Sequence, residues 1–360
     1  MSGKVTIARP DLEKVLSKLA GGMDVWIPAS PASGKWGIEF VPYRSGSVPL
    51  LDRQSILPPK KVLLPQMETL LRFEYQKDPE DPSKVTLRLD DPTADSSKSR
   101  PVLVFGARPC DARGFLTFDR TFANGPYVDT YYRNRREKTY FATLVCREAD
   151  SACFCSSVGS GPADMEGSDL RLTPIEDGYL LETLNERAAF VLHAIESLVA
   201  PPTESQEAAA KRIVDETSSL ATAGFPPGTA EAFRGRFENL SYWQGEIEQC
   251  LSCGICTYVC PTCYCFTISD ETKNLEGERL RSWDSCMFAH YTSEASGHNP
   301  RPTKLERYRN RVGHKFSYIP TNYDGMIGCC GCGRCIRLCP VSIDIRKVVQ
   351  GLKEETCESA

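Results

Sequence analysis

Residues 250–261 read CLSCGICTYVCP, and residues 329–340 read CCGCGRCIRLCP. Each stretch spaces four cysteines as C-x2-C-x2-C-x3-C and continues with proline, which is the spacing with which proteins hold a pair of [4Fe–4S] clusters. The proline turns the chain away after the last cysteine, because it fixes φ and offers no N–H. Two complete copies in one chain therefore predict two clusters and one-electron chemistry.

The fourth cysteine of each motif is expected to ligate the cluster of the other motif. The first cluster would then take Cys250, Cys253, Cys256 and Cys339. The second cluster would take Cys329, Cys332, Cys335 and Cys260. A structural zinc module is the alternative, but zinc sites usually pair two C-x2-C knuckles. The third evenly spaced cysteine of each motif favours iron–sulfur clusters.

Composition and charge limit the kinds of protein that this chain can be. The chain has 360 residues, of which 41% are hydrophobic and 25% charged, with a formal net charge of -4. These values are ordinary for a globular protein and do not favour wholesale nucleic-acid binding. We expect no signal peptide, because residues 1–16 carry Arg9, Asp11, Glu13 and Lys14 and have no apolar core. We also expect no membrane span, because no apolar stretch reaches the roughly 18 residues that a span needs. Seventeen cysteines indicate metal ligation in a reducing compartment, and we predict a cytoplasmic location.

The patterns predict an α/β (α+β) N-terminal domain followed by an α-helical ferredoxin-type dicluster domain. The first domain spans residues 1–200, a linker rich in Pro, Ala, Ser, Thr and Glu spans 201–230, and the cluster domain spans 231–360. Residues 261–328 separate the two motifs, far more than a small β-hairpin ferredoxin uses. This separation favours motifs at helix ends with a helical insert between them.

Within the first domain, residues 102–105 and 141–145 are short apolar runs suited to buried strands. The residues between them leave room for a crossover helix, so the two strands should be parallel neighbours. Residues 67–73 and 180–200 are predicted to be helical.

A second group of cysteines belongs to this domain: Cys110, Cys146, Cys153 and Cys155. Cys110 and Cys146 each follow one of the two predicted parallel strands, so their thiols should emerge at the same carboxyl edge, where α/β proteins place ligands. The four thiols could hold a third [4Fe–4S] cluster, with Asp111 as an alternative ligand. They could instead be buried free thiols, which are common in protein cores, or a redox-active cysteine site.

Two further groups have open interpretations. Cys263, Cys265 and Cys286 lie beyond the eight expected ligands, and they could line the clusters or ligate another centre. A basic stretch between the motifs could compensate the charge of anionic clusters, dock an acidic partner, or be a solvated helix face. Its members are Arg301, Arg307, Arg309, Arg311, His314 and Lys315.

Several stretches of the sequence resemble one family. They are GARPCDARGF (106–115), CFCSSVGSGP (153–162), CPTCYCF (260–266), WDSCMF (283–288), GHNPRP (297–302), HKFSY (314–318) and GCGRCIRLCPVSIDI (331–345). These stretches are similar to the β subunits of cytoplasmic sulfhydrogenases and to the A subunits of anaerobic sulfite reductases. The C-terminal half also resembles the ferredoxin-like subunit of heterodisulfide reductases.

The resemblance implies a subunit that links an NAD(P)H-oxidising flavin subunit to a separate catalytic redox subunit. The chain has neither G-x-G-x-x-G nor a phosphate-binding loop, so a partner diaphorase would have to handle the nucleotide. Electron transfer would then be the chain's own task, with no further catalytic site. The alternative is that the chain itself reduces sulfur or polysulfide at the N-terminal cysteine site.

Overall fold

The computed structural model describes residues 3–31, 37–91, 99–220 and 224–354. The strands in these ranges are β1 (Lys4–Ala8), β2 (Asp24–Ala29), β3 (Glu39–Pro42), β4 (Met67–Lys77), β5 (Val85–Asp90), β6 (Val102–Ala107), β7 (Thr139–Leu144), β8 (Leu170–Ile175), β9 (Gly178–Thr183), β10 (Phe266–Lys273) and β11 (Glu276–Trp283). They form two separate sheets.

The α-helices in the same ranges are α1 (Leu12–Gly22), α2 (Lys60–Leu63), α3 (Pro109–Phe118), α4 (Thr130–Glu137), α5 (Ala189–Ile195), α6 (Glu204–Ser218), α7 (Thr229–Gly235), α8 (Leu240–Ile247), α9 (Ile255–Tyr258), α10 (Lys304–Gly313), α11 (Ile319–Asn322), α12 (Arg334–Arg337) and α13 (Ile345–Glu354). Two π-helical turns, Asp119–Ala123 and His314–Tyr318, continue α3 and α10. Among the described residues no helix is both long enough and apolar enough to cross a membrane.

A seven-stranded sheet in the order β1-β9-β8-β7-β6-β2-β3 forms the centre of the N-terminal part. Its middle strands β8, β7, β6 and β2 run parallel, and the outer pairs are antiparallel. The register pairs Val102 with Thr139 and Val104 with Phe141. The predicted parallel neighbours are therefore confirmed, with α3 and α4 in the crossover between them.

Helices cover both faces of this sheet, because alternate residues of a strand point to opposite sides. Leu103 and Phe105 pack into a core that includes α1 and α5. Val104 packs into the opposite core with Phe115 of α3 and Tyr132 of α4. The N-terminal part is thus an α/β layer structure, as the sequence predicts.

The smaller, four-stranded sheet has the order β10-β11-β4-β5, with every pair antiparallel. Our prediction of a helix at residues 67–73 is wrong, since these residues belong to β4. β4 lies between β5 and β11, and Ser282 of β11 pairs with Met67. The partner strand comes from the segment between the two cysteine motifs, so the local sequence of β4 could not reveal it.

The segment between the motifs is only partly helical, which corrects the predicted helical insert. It begins with the hairpin of β10 and β11 and continues with α10 and α11. The hairpin is stabilised by its pairing with β4, a contact remote in sequence. Around it, the cluster-bearing part is mainly short helices packed on a core of Phe233, Trp243, Val312 and Val348.

The predicted helix at residues 180–200 is too long. Leu180 belongs to β9, where it pairs with both Thr6 and Thr173, and the α-helix begins only at Ala189. Within the predicted linker, residues 201–230, the structure has α6. A capping box of Thr203 and Gln206 starts this helix. The domain boundaries stay a prediction.

Candidate metal centres

Two loops with matching backbone conformation carry the first cysteines of the two motifs. Ser252 and Gly254 have φ values of 54° and 74° just before α9, and Gly331 and Gly333 have φ values of 63° and 73° just before α12. In each loop a backbone N–H donates to the sulfur of the motif's first cysteine, at 3.3 Å from Ser252 and 3.4 Å from Gly331. The two motifs therefore share one local turn, with the sulfur of the first cysteine as a hydrogen-bond acceptor in both.

A cavity at the start of α9 brings cysteines of both motifs together. Its lining includes Cys250, Cys253 and Cys256 of the first motif and Cys335 and Cys339 of the second. The thiols surround a gap rather than converge on one point. Within the described ranges, no three His, Cys, Asp or Glu side chains are placed to hold a single metal ion.

Cys260, the last cysteine of the first motif, lies among the thiols of the second motif. Burial raises the pKa of Cys329 to about 11, and the charges of Cys260 and Cys332 add to this rise. Burial also raises the pKa of Cys335, with further contributions from the same three thiols. Cys329, Cys332, Cys335 and Cys260 are therefore close enough to interact electrostatically, and all but Cys335 are buried.

Lys315 projects into this second site from the π-helical turn after α10. Its Nζ donates to Cys260 Sγ at 3.4 Å, to Thr262 Oγ1 at 2.8 Å and to the Gly328 carbonyl at 2.9 Å. The Lys315 residue is only 3% exposed. A full positive charge is thus held against a sulfur of the first motif.

Arg311, one turn earlier, is also 3% exposed. It donates to the Cys256 carbonyl at 3.1 Å and approaches Cys263 Sγ at 3.9 Å. Burial opposes the charges of Arg311 and Lys315, and neighbouring cysteine thiolates rather than carboxylates raise the pKa of both. These residues of the basic stretch are therefore not a solvated face.

The two buried cations provide a test of whether the site fits an anionic cofactor. An unpaired buried charge is strongly unfavourable, so Arg311 and Lys315 require negative charge nearby. Four cysteine thiolates around an iron–sulfur cluster supply that charge, and the N–H groups directed at sulfur supply the hydrogen bonds such clusters receive. The residues present fit [4Fe–4S] clusters.

The second cysteine group also assembles, at the predicted edge of the larger sheet. Burial raises the pKa of Cys155 to about 11, with contributions from the Cys153 and Cys146 thiolates, so these three thiols are close together. Cys110, in the first turn of α3, is buried against Cys330 and Cys332 of the second motif. The group therefore borders the second motif as well as the sheet.

The loop that carries Cys153 and Cys155 packs directly on the second motif. The Phe154 N–H donates to the Gly331 carbonyl at 2.8 Å. A Cβ on Gly331 would lie 2.5 Å from the Cys155 backbone, and a Cβ on Gly333 would lie 2.6 Å from the Ala152 carbonyl. Only glycine permits so close an approach. The second cysteine group and the second motif are therefore in direct contact.

Asp111 does not face the thiols as a free ligand. Its Oδ1 accepts from Arg334 at 2.6 Å, and its Oδ2 accepts from the Arg108 backbone N–H at 3.1 Å. Arg334 is completely buried and also donates to the Ser55 carbonyl at 2.8 Å. Asp111 thus acts as the counter-ion of Arg334 and ties α3 to the second motif.

The sequence-based reasoning missed Arg334 and Lys60. Arg334 lies inside the second motif, so its position between Cys332 and Cys335 was the available signal. Lys60 of α2 is buried, donates to the Thr257 and Cys263 carbonyls at 3.3 and 3.1 Å, and lies 4.1 Å from the ring centroid of Trp283. No local pattern around Lys60 indicates that role.

Comparison with known proteins places both cysteine motifs in one family model. Residues 249–343 match the family model described as a 4Fe–4S dicluster domain. Sulfhydrogenase 2 subunit beta of Pyrococcus furiosus is 31% identical over 307 residues, covering 84% of this chain and 84% of the relative. A match of that extent includes most of the α/β part and at least the first cysteine motif. The chain therefore belongs to the family of sulfhydrogenase beta subunits.

Proposed function

We propose that this chain is the iron–sulfur electron-transfer subunit of a multisubunit oxidoreductase. It would relay single electrons between an NAD(P)H-linked flavoprotein subunit and a catalytic subunit of hydrogenase, sulfur or sulfite reductase, or heterodisulfide reductase type. The observation that carries this proposal is the cavity shared by Cys250, Cys253, Cys256 and Cys339, because such crossing of motifs is typical of two-cluster electron carriers. The family relationship supports it.

The ligand sets we propose are Cys250, Cys253, Cys256 and Cys339 for the first cluster, and Cys329, Cys332, Cys335 and Cys260 for the second. When bound, the clusters supply one-electron oxidation and reduction. The chain's own residues exclude water, donate N–H groups to sulfur, and hold Arg311 and Lys315 in place. Distance, orientation and potential are thus the protein's contribution.

We further propose a third [4Fe–4S] cluster at Cys110, Cys146, Cys153 and Cys155. The gathering of these thiols and their shared boundary with the second motif support it. In that arrangement the third cluster would exchange electrons with the second cluster rather than with a soluble donor. The alternative, sulfur or polysulfide reduction at the same thiols, is less well supported. Burial raises the pKa of all four thiols, and protonated thiols are poor nucleophiles.

A reducing, cytoplasmic location is part of the proposal. All sixteen cysteines in the described ranges are free thiols rather than disulfides. Disulfides are rare in reducing compartments, and metal ligation needs free thiols.

Iron analysis tests the cofactors. Anaerobically purified protein should contain about eight iron and eight sulfide ions per chain with two clusters, or about twelve of each with three. The double variant Cys146→Ala/Cys153→Ala should lower about twelve iron ions to about eight, because it removes ligands of the third site alone. Wild-type protein with about eight would contradict the third cluster. Protein that binds only zinc would contradict the whole proposal.

Lys315→Met should lower the reduction potential of the second cluster. Reduction adds negative charge, and the variant removes a buried positive charge next to Cys260. One charge a few ångströms away is worth a few kcal/mol at an effective dielectric constant of about 20, so the decrease should be on the order of 100 mV. An EPR-monitored redox titration measures it.

Lys211→Met on the exposed side of α6 is the matched control, and its potentials should equal those of the wild type. An unchanged or raised potential in Lys315→Met would contradict the proposed position of the second cluster.

A further inference from the structure

Two cysteines outside the proposed ligand sets meet at the base of the β10–β11 hairpin. Cys265 directly precedes β10, and Cys286 follows β11 by three residues. Phe266 pairs with Trp283, and the Asp284 N–H donates to the Cys265 carbonyl at 2.9 Å. This register places the two thiols next to each other, so that each thiol shifts the pKa of the other.

The two thiols differ in environment. Hydrogen bonds from Cys286 and from the Tyr291 hydroxyl contribute to lowering the pKa of Cys265 to about 6, although burial opposes this. The hydrogen bond to Cys265, together with burial, raises the pKa of Cys286. A thiolate beside a protonated thiol is the arrangement that supports thiol–disulfide exchange, in which the thiolate is the attacking group. Both residues are partly exposed.

The pair also adjoins the second site. Cys263 is an electrostatic neighbour of Cys286 and is in hydrogen-bonding contact with Cys260. The charge of Lys60 interacts electrostatically with the thiolates of Cys263, Cys260 and Cys265. A short path of thiols therefore connects the pair to a proposed cluster ligand.

We propose that Cys265 and Cys286 form a redox-active dithiol that exchanges with small organic disulfides. The Cys265 thiolate attacks the external disulfide, a mixed disulfide forms, and one external thiolate leaves. Cys286 then loses its proton and attacks Cys265 Sγ, which forms the internal disulfide and releases the second external thiolate. Two electrons, delivered singly, and two protons restore both thiols. Only the source of these electrons rests on the proposed function.

Differential alkylation of the anaerobically purified full chain tests the dithiol, with glutathione disulfide as the probe and mass spectrometry as the readout. Wild-type protein should lose two alkylatable thiols and gain a Cys265–Cys286 crosslink while its iron content is unchanged. Cys286→Ser should retain glutathione on Cys265, because the resolving thiol is missing. Cys265→Ser should form neither product. Cys263→Ser, the neighbouring control, should still form the crosslink.

The proposal is overturned if Cys265 and Cys286 stay alkylatable at every glutathione disulfide concentration. It is also overturned if alkylation requires prior removal of iron, because the thiols would then be cluster ligands. Iron measured in the same samples separates the two ideas. A crosslink in protein that was purified without iron would support the dithiol and contradict the electron relay. Bound iron without a crosslink would support the electron relay and contradict the dithiol.

Discussion

Cys253→Ala should abolish NAD(P)H-driven turnover of the assembled complex while the flavoprotein subunit still reduces an artificial dye. Cys253 lines the cavity shared by the two motifs and lies in an exposed loop, so its loss should remove a ligand without unfolding the domain. Loss of a residue that only hydrogen-bonds to a metal ligand already lowers metal affinity or activity roughly 10–100-fold. Loss of a ligand itself should therefore lower turnover more than about 100-fold. Steady-state assays with the physiological and the artificial acceptor measure both activities.

Leu251→Ala is the matched control, since Leu251 lies in the same loop, is 65% exposed and also lines the cavity. It should retain both the iron content and the turnover of the wild type. Cys332→Ala should repeat the loss at the second site. Undiminished turnover in Cys253→Ala, with its iron content unchanged, would show that this cysteine is not a ligand and would contradict the relay through the first site.

Asp111→Ala should destabilise the protein by about 3–5 kcal/mol, because it leaves the Arg334 guanidinium buried without a counter-ion. The two side chains are each 1% exposed and their charged atoms lie 2.6 Å apart. A loss of that size is a large share of the roughly 5–15 kcal/mol that stabilises a typical protein. The midpoint of urea-induced unfolding should therefore fall sharply.

Asp270→Ala is the comparison variant, since it breaks the exposed ion pair between Asp270 and Arg279. Exposed pairs contribute little, so its unfolding midpoint should equal that of the wild type. Asp111→Asn, which keeps the shape of the side chain but removes its charge, should be intermediate. Equal midpoints for Asp111→Ala and wild type would contradict the role of this pair in joining α3 to the second motif.

The fold could be predicted from sequence where its signals are local. The apolar runs that form β6 and β7, with room for a helix between them, were enough to predict parallel strands. The helix predicted at residues 67–73 is wrong, because these residues form β4, which pairs with β5 on one side and with β11 on the other. The pairing of β4 with β11 joins segments far apart in the chain and has no signature in the local sequence of either strand.

The sequence alone determined the two cysteine motifs and the edge of the sheet at which Cys110 and Cys146 emerge, because cluster ligands follow fixed local spacings and parallel strands end on one side. Three contacts are visible only in the folded chain. The second cysteine group borders the second motif, Asp111 neutralises Arg334, and Cys265 lies next to Cys286. The first two contacts join segments far apart in the chain, and the third depends on the register of the β10–β11 hairpin. Their energies depend on burial and on which charges become neighbours, and both are properties of the folded chain.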